Sequence, residues 1–129
     1  MLLNFKVKNF RSIKDEVMLD LQATSDKAIE SQAVFDLGKV SLLKTAAIYG
    51  PNASGKSNIL KAFAVFRTMI LESLLRNNLT IDLPNEYFKL SSVGENKPSY
   101  FEMTFLLNNE VFTYGFELGK KKIYREWLT

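Results

Sequence analysis

One segment of the sequence carries glycine, lysine and serine at a spacing suited to holding phosphate groups. Residues 50–57 read GPNASGKS and match the pattern G-x-x-x-x-G-K-[ST] of phosphate-binding loops. A loop that wraps a cluster of negative charge must point several backbone N–H groups inward, where side chains would obstruct them. Gly50 and Gly55 allow this close approach and the unusual dihedral angles that it requires. The pattern predicts a site for the phosphates of a nucleoside triphosphate.

The residues of this loop have distinct expected roles. Lys56 can reach the β- and γ-phosphates, and the Ser57 hydroxyl is placed to ligate Mg²⁺. A helix that starts near Gly55 adds the positive end of its dipole. The predicted nucleotide-contacting residues of the segment are Gly50, Pro51, Asn52, Ala53, Ser54, Gly55, Lys56, Ser57 and Asn58. An ordinary strand-to-helix turn that merely contains glycines is the alternative interpretation.

The elements on either side of the loop have to hold it in place. Leu42 to Tyr49 is a largely apolar run and predicts a strand buried on both faces. Lys56 to Asn77 predicts a helix, because apolar residues recur there every three or four positions. This stripe consists of Ile59, Phe63, Phe66, Ile70 and Leu74, and it is widened by Leu60, Leu71 and Leu75. We expect these side chains to form core and not a ligand site.

The remainder of the chain has the patterning of antiparallel strands. Leu3, Phe5 and Val7 alternate with polar residues, and Val17, Leu19 and Leu21 again fall at every second position, which predicts a hairpin; residues 23–38 are read as a loop. After an irregular segment at 79–98, the last third predicts a β-meander. Its expected strands and turns are residues 100–107, the pair Asn108-Asn109, residues 110–118, a charged turn at 119–122 that holds Lys120, Lys121 and Lys122, and residues 123–128.

Composition limits the possible chemistry. The chain has 129 residues, 47% of them hydrophobic, which is enough for one small domain with a core. It contains no cysteine and no histidine, so disulfides, thiolate metal sites and imidazole catalysis are excluded within it. The net charge of +3 permits contact with nucleic acid but does not argue for it. No signal peptide and no apolar run of ~20 residues are visible, so we expect a soluble cytoplasmic protein with no membrane contact.

Two motifs together resemble those of a known group of ATPases. The loop has Asn52 at its third position, and residues 7–13 read VKNFRSI. Both are similar to motifs in the N-terminal lobe of ABC-type ATPase heads, whose close relatives are the SMC, RecF and OLD-like ATPases. The resemblance implies ATP with Mg²⁺ as the ligands. It also implies that Arg11, the basic residue of the first-strand motif, lies near the bound nucleotide.

The resemblance extends to a bacterial branch of AAA-type ATP-binding proteins linked to abortive infection or restriction. It rests on YFKL at 87–90, PSYFEMTF at 98–105 and the strands at 114–118 and 123–128, and so spans nearly the whole chain. It implies an α/β fold: a P-loop NTPase N-lobe with a mixed sheet, a long helix after the P-loop and an antiparallel β-meander. Residues 1–78 would hold the strand hairpin, P-loop and helix, and residues 79–129 the irregular connector and the meander.

The chain departs from a complete ATPase head. It has no Walker B strand ending in Asp-Glu, no signature sequence and no switch histidine, elements that such heads carry in a C-terminal lobe. No catalytic residue is identifiable, since Asp82 and Glu86, the nearest acids after the helix, read as loop surface. The resemblance therefore implies half of a head that hydrolyses ATP only when a C-terminal lobe completes it. The full-length protein would form a head-to-head homodimer and act in DNA-directed or phage-defence processes.

Two other functions remain open at this point. The first is a P-loop kinase or GTPase. Asn96-Lys97-Pro98-Ser99 begins like the guanine-reading motif N-K-x-D but has serine in place of the aspartate. The second is a nucleotide-binding or DNA-tethering module that never hydrolyses its ligand.

Overall fold

The computed structural model describes residues 1–24, 33–38, 40–75, 86–90, 97–120 and 122–129. Within these residues the chain forms one helix and seven strands. In chain order they are β1 (Leu2–Lys8), β2 (Val17–Asp20), β3 (Val34–Asp36), β4 (Ser41–Leu43), α1 (Lys56–Leu75), β5 (Ser99–Leu107), β6 (Glu110–Leu118) and β7 (Ile123–Leu128). In this part of the chain no helix combines the length and the apolar character that a membrane span requires.

Five of the strands form one sheet in the order β2-β1-β5-β6-β7. The predicted hairpin at the N-terminus is confirmed, with Val7 opposite Val17 and Phe5 opposite Leu19. The first strand also pairs with β5, where Val7 lies opposite Phe101. Every described strand pair is antiparallel, so the predicted mixed sheet is wrong for these residues. Short connections explain this for β1–β2, β3–β4, β5–β6 and β6–β7, because a parallel pair needs a crossover of a dozen or more residues. The β1–β5 pair is also antiparallel, although most of the chain, including α1, lies between its two strands.

The β-meander is confirmed with nearly the predicted bounds. Asn108 and Asn109 have φ of 51° and 64° and join the paired residues Leu107 and Glu110. Positive φ at both central residues is what a two-residue hairpin turn needs, and asparagine tolerates it better than most residues. At the next connection, the Gly119 N–H donates to the carbonyl of Lys122, so the described part of the predicted charged turn is also a turn.

The strand predicted at Leu42 to Tyr49 is wrong for most of its length. Only Ser41–Leu43 is a strand, and it pairs with β3 in a separate two-stranded sheet. Residues 44–50 have no regular secondary structure, and Tyr49 is 89% exposed. A strand buried on both faces needs a hydrogen-bonding partner along its edges. None of the strands in the described part of the chain pairs with residues 44–49, so apolar composition alone does not make a strand there.

The core lies between α1 and one face of the large sheet. Phe66 of the helix is 1% exposed, and its ring centroid lies 5.3 Å from that of Phe116 and 5.6 Å from that of Phe5. The predicted stripe members Ile59, Phe63, Phe66 and Ile70 all pack in this core. The prediction that Leu60 and Leu71 widen this apolar stripe is wrong, because they are 66% and 42% exposed. Each is one position beyond a stripe residue, about 100° further round the helix. The expected helix end at Asn77 and the side chains of Leu74 and Leu75 lie outside the described residues.

Candidate nucleotide-binding site

The loop before α1 has the backbone conformation that its glycine pattern requires. Gly55, immediately before the first helical residue, has φ of +95°, and Ala53 has φ of +63°. Glycine adopts such φ values at little cost, whereas residues with a side chain rarely adopt them. Gly50 at the start of the loop also has a positive φ, of 156°. The loop therefore reaches the helix through a conformation that favours glycine at position 55.

A concave pocket lies where the loop meets the first turn of α1. It is lined by Ser12, Ala53, Ser54, Gly55, Lys56, Ser57 and Asn58. Because α1 begins at Lys56, the first backbone N–H groups have no acceptor within the helix, and that of Asn58 donates to the carbonyl of Gly55 at 2.8 Å. Such groups and the positive end of the helix dipole favour an anion at this position.

Lys56 places its positive charge over the loop. Its Nζ donates hydrogen bonds to the carbonyl oxygens of Gly50 and Pro51, at 2.8 and 2.6 Å. The ammonium is thereby held against the start of the loop while the backbone of Lys56 belongs to the helix at its end. A phosphate oxygen is a charged acceptor and makes a stronger bond to an ammonium than a neutral carbonyl does. The side chain is thus positioned to exchange these carbonyls for phosphate.

Ser57 is the predicted magnesium ligand, and its hydroxyl lies at the pocket. The residue is exposed, lies in the first turn of α1 and lines the pocket. No group of three or more acidic residues suited to a metal occurs in the described part of the chain. Magnesium is commonly held by few protein ligands together with substrate phosphates and water. A single serine hydroxyl beside a phosphate pocket fits that manner of binding.

Ser12 lines the pocket, a role that the first-strand motif did not predict for it. Its Oγ accepts a hydrogen bond of 2.7 Å from Nδ2 of Asn58, 46 residues later. A Cβ atom on Gly55 would lie only 2.9 Å from the same oxygen. The sequence signal that could have identified Ser12 was its position next to Arg11 in the first-strand motif. The two residues are neighbours at the tip of one turn, but Ser12 faces the pocket and Arg11 faces Glu86.

Arg11 has φ of 51° and lies in the turn after β1. Its guanidinium is hydrogen-bonded to the carboxylate of Glu86, and its backbone N–H donates to the carbonyl of the same residue at 2.6 Å. The side chain does not line the pocket, whereas that of Ser12 does. Glu86 is thus engaged with Arg11, and Asp82, the other acid considered, lies outside the described residues.

Asn9 ties this turn to the segments that follow the helix. The residue is 7% exposed, and its Nδ2 donates to the carbonyl of Lys97 at 2.9 Å. Its Oδ1 accepts from the N–H of Phe88 at 3.2 Å, and its carbonyl accepts from the hydroxyl of Ser99 at 2.6 Å. Residues 9–12 therefore contact the phosphate loop on one side and the segments 86–90 and 97–99 on the other.

Sequence comparison identifies the family of this chain. The chain belongs to the family described as "AAA domain, putative AbiEii toxin, Type IV TA system", whose model matches residues 46–129. The matched region begins before the phosphate loop and includes α1 and the whole β-meander. Membership supports ATPase-type nucleotide binding as the class of function. A comparison with curated proteins found no match.

Proposed function

We propose that this chain binds ATP with Mg²⁺ through residues 50–58 and forms the nucleotide-binding part of an ATPase. The observation that carries the proposal is the pocket in which Lys56, Ser57 and the glycine-dependent loop meet at the N-terminus of α1. Lys56 supplies a positive charge, Ser57 a metal ligand, and the loop backbone N–H donors. A triphosphate needs all three. Family membership supports the same class of function.

The chain's own residues would act mainly by charge stabilisation. In phosphoryl transfer, negative charge spreads over the oxygens of the γ-phosphate, and fixed positive groups lower the barrier. Lys56 and the loop amides would supply such groups, and Ser57 would hold the metal. A bound Mg²⁺ would neutralise part of the charge of the phosphates.

The group that orients the attacking water would have to come from outside this pocket. The pocket lining contains no carboxylate, and Glu86 is bonded to Arg11. We therefore propose that a C-terminal lobe completes the site and that hydrolysis takes place between two heads of a dimer. The description of the family names a toxin of a type IV system. This supports an effector role in abortive infection or another DNA-directed or phage-defence process.

A second candidate is a nucleotide-binding module that does not hydrolyse ATP, and the same carboxylate-free pocket favours it. A guanine-specific GTPase has less support. Ser99, which replaces the aspartate of the guanine-reading motif, is fully buried, and its hydroxyl donates to the carbonyl of Asn9. These contacts give this serine a role in fixing the start of β5.

Isothermal titration with ATP and Mg²⁺ tests the binding proposal. Lys56→Ala should weaken binding by ~1.5–3 kcal/mol, about tenfold or more, because it removes a charge-assisted contact. Lys61→Ala is the matched control, since this lysine is exposed on the same helix outside the pocket. Equal affinities for wild type and Lys56→Ala would contradict the assignment.

Measuring phosphate release by the 129-residue chain tests whether it is only half of an ATPase or a complete enzyme. We expect turnover near background and no change in light scattering when ATP and Mg²⁺ are added, because a water-orienting carboxylate is absent from the pocket lining. Robust turnover that Lys56→Ala abolishes would show that the catalytic site is complete within this chain.

A further inference from the structure

The turn that follows β1 is held rigidly at its base. The backbone N–H groups of Phe10 and Ile13 each donate to the carbonyl of the other residue, both at 2.8 Å. Phe10 is 1% and Ile13 is 7% exposed, and both belong to the main core. The core thus fixes the two ends of the turn, and the tip residues Arg11 and Ser12 project from a defined position.

Ser12 brings this fixed tip against the phosphate loop at two successive points. Its Oγ accepts the hydrogen bond from Asn58, which lies in the first turn of α1. The same oxygen lies so close to Gly55 that a Cβ there would be 2.9 Å away. Both contacts are made on the side of the loop that lines the pocket. The tip of the turn therefore abuts the start of the helix where Lys56 and Ser57 emerge.

We propose that Ser12 is a positioning residue for nucleotide binding and that it acts through Asn58. The Ser12 hydroxyl fixes the Asn58 side chain, and so holds the first turn of α1 where Lys56 and Ser57 face the pocket. This inference rests on the ATP binding proposed above. Small displacements of groups that hold a phosphate are costly, because charge-assisted bonds depend strongly on distance and direction.

The role is separable from general stability. The Ser12–Asn58 hydrogen bond lies at the exposed surface. The helix itself is anchored further along by Ala62, Phe66 and Met69, which are buried in the core. Loss of one exposed hydrogen bond should leave this packing intact. A merely structural serine would lower the melting temperature, whereas a positioning serine lowers ATP affinity while the melting temperature stays nearly constant.

A double-mutant cycle in ATP–Mg²⁺ affinity tests the proposal. The full chain is titrated as wild type, Ser12→Ala, Asn58→Ala and the double variant. We expect each single variant to bind roughly three- to tenfold more weakly, the size of one hydrogen bond, and the double variant to bind no more weakly than the weaker single one. Lys14→Ala, an exposed residue of the same connection, is the control and should bind as wild type.

Other outcomes of the cycle overturn the proposal. Additive losses would mean that Ser12 and Asn58 act independently, and an unchanged affinity for Ser12→Ala would remove its role. If Ser12→Ala failed to fold, Asn58→Ala would break the same hydrogen bond from the other side and should weaken binding alone. If wild type bound no ATP, the function proposed above would fail. The positioning role would then be decided by backbone amide resonances of residues 53–57, which should shift in Ser12→Ala; unchanged resonances would overturn it.

Discussion

The guanidinium of Arg11 is hydrogen-bonded to the carboxylate of Glu86, 75 residues later in the chain. The side chains are 30% and 47% exposed, so the pair lies at the surface, where solvent screens it. Ser12, the next residue, contacts Asn58 and Gly55 instead. One turn therefore links the segment after the helix to the loop before it.

Arg11→Ala tests whether Arg11 binds the nucleotide in addition to its ion pair with Glu86. If the guanidinium, which does not line the pocket, leaves Glu86 to form a charge-assisted bond with the nucleotide, we expect Arg11→Ala to weaken ATP binding by ~1.5–3 kcal/mol. Glu86→Gln is the matched variant, since it breaks the ion pair while keeping Arg11, and it should bind ATP at least as tightly as wild type. Titration calorimetry and thermal melting are measured together. A purely structural pair would instead give both variants the same small loss of melting temperature and unaltered affinity.

Gly55→Ala should impair the loop through its backbone. With φ of +95° and the Ser12 Oγ 2.9 Å from the new Cβ, alanine introduces both strain and a steric conflict. We expect a stability loss of ~1–3 kcal/mol and an ATP affinity at least about tenfold lower. Gly38→Ala is the control, because φ there is +78° but nothing lies within 4 Å of the added Cβ. It should cost stability alone; an equal loss of affinity in both variants would contradict a local effect at the loop.

Phe66→Ala should remove the centre of the helix–sheet core. The Phe66 ring packs against Phe5, Phe116 and Tyr114, with centroid distances of 5.3 to 5.7 Å. Truncation of such a buried ring costs ~3–5 kcal/mol in the free energy of unfolding. Leu60→Ala, on the exposed side of the same helix, should change it by less than ~0.5 kcal/mol. Denaturant unfolding checks both values, and comparable losses would mean that the helix faces the sheet differently.

Glu102 should make stability depend on pH in the acid range. Burial, the largest influence, acts to raise the pKa of Glu102, but hydrogen bonds from Lys6, Tyr100 and Trp127 together lower it below the ordinary 4.5. A depressed pKa in the folded state contributes stability above the unfolded value, and this is lost as pH falls through the folded value. The Lys6 Nζ lies 2.9 Å from Oε1 of Glu102, and the Trp127 Nε1 lies 3.2 Å from Oε2.

Glu102→Gln measures this contribution. The unfolding free energy of wild type minus that of the variant should be largest above pH ~4.5 and should shrink as pH falls below it. Denaturant midpoints between pH 2 and 7 provide the measurement. A difference for Glu102→Gln that does not vary with pH would disprove the depressed pKa.

Several elements followed from the sequence because neighbouring residues decide them. Period-two patterning is a property of one strand, and it located β1 and β6. The Asn108-Asn109 turn depends on the φ that two residues can adopt, and it joins β5 to β6 as predicted. The pattern of the phosphate loop likewise rests on the local need for glycine, and Gly55 has the positive φ that it implies.

Only the tertiary structure decided which distant segments meet. The pairing of β1 with β5 and the absence of a strand at residues 44–49 depend on partners far along the chain, which composition does not reveal. The same holds for the hydrogen bond between Ser12 and Asn58. A strand or a side-chain hydrogen bond needs a partner in space as well as a suitable residue, because an unpaired polar group inside a protein is costly. The sequence by itself predicts the phosphate-binding residues, and the fold places Ser12 beside them.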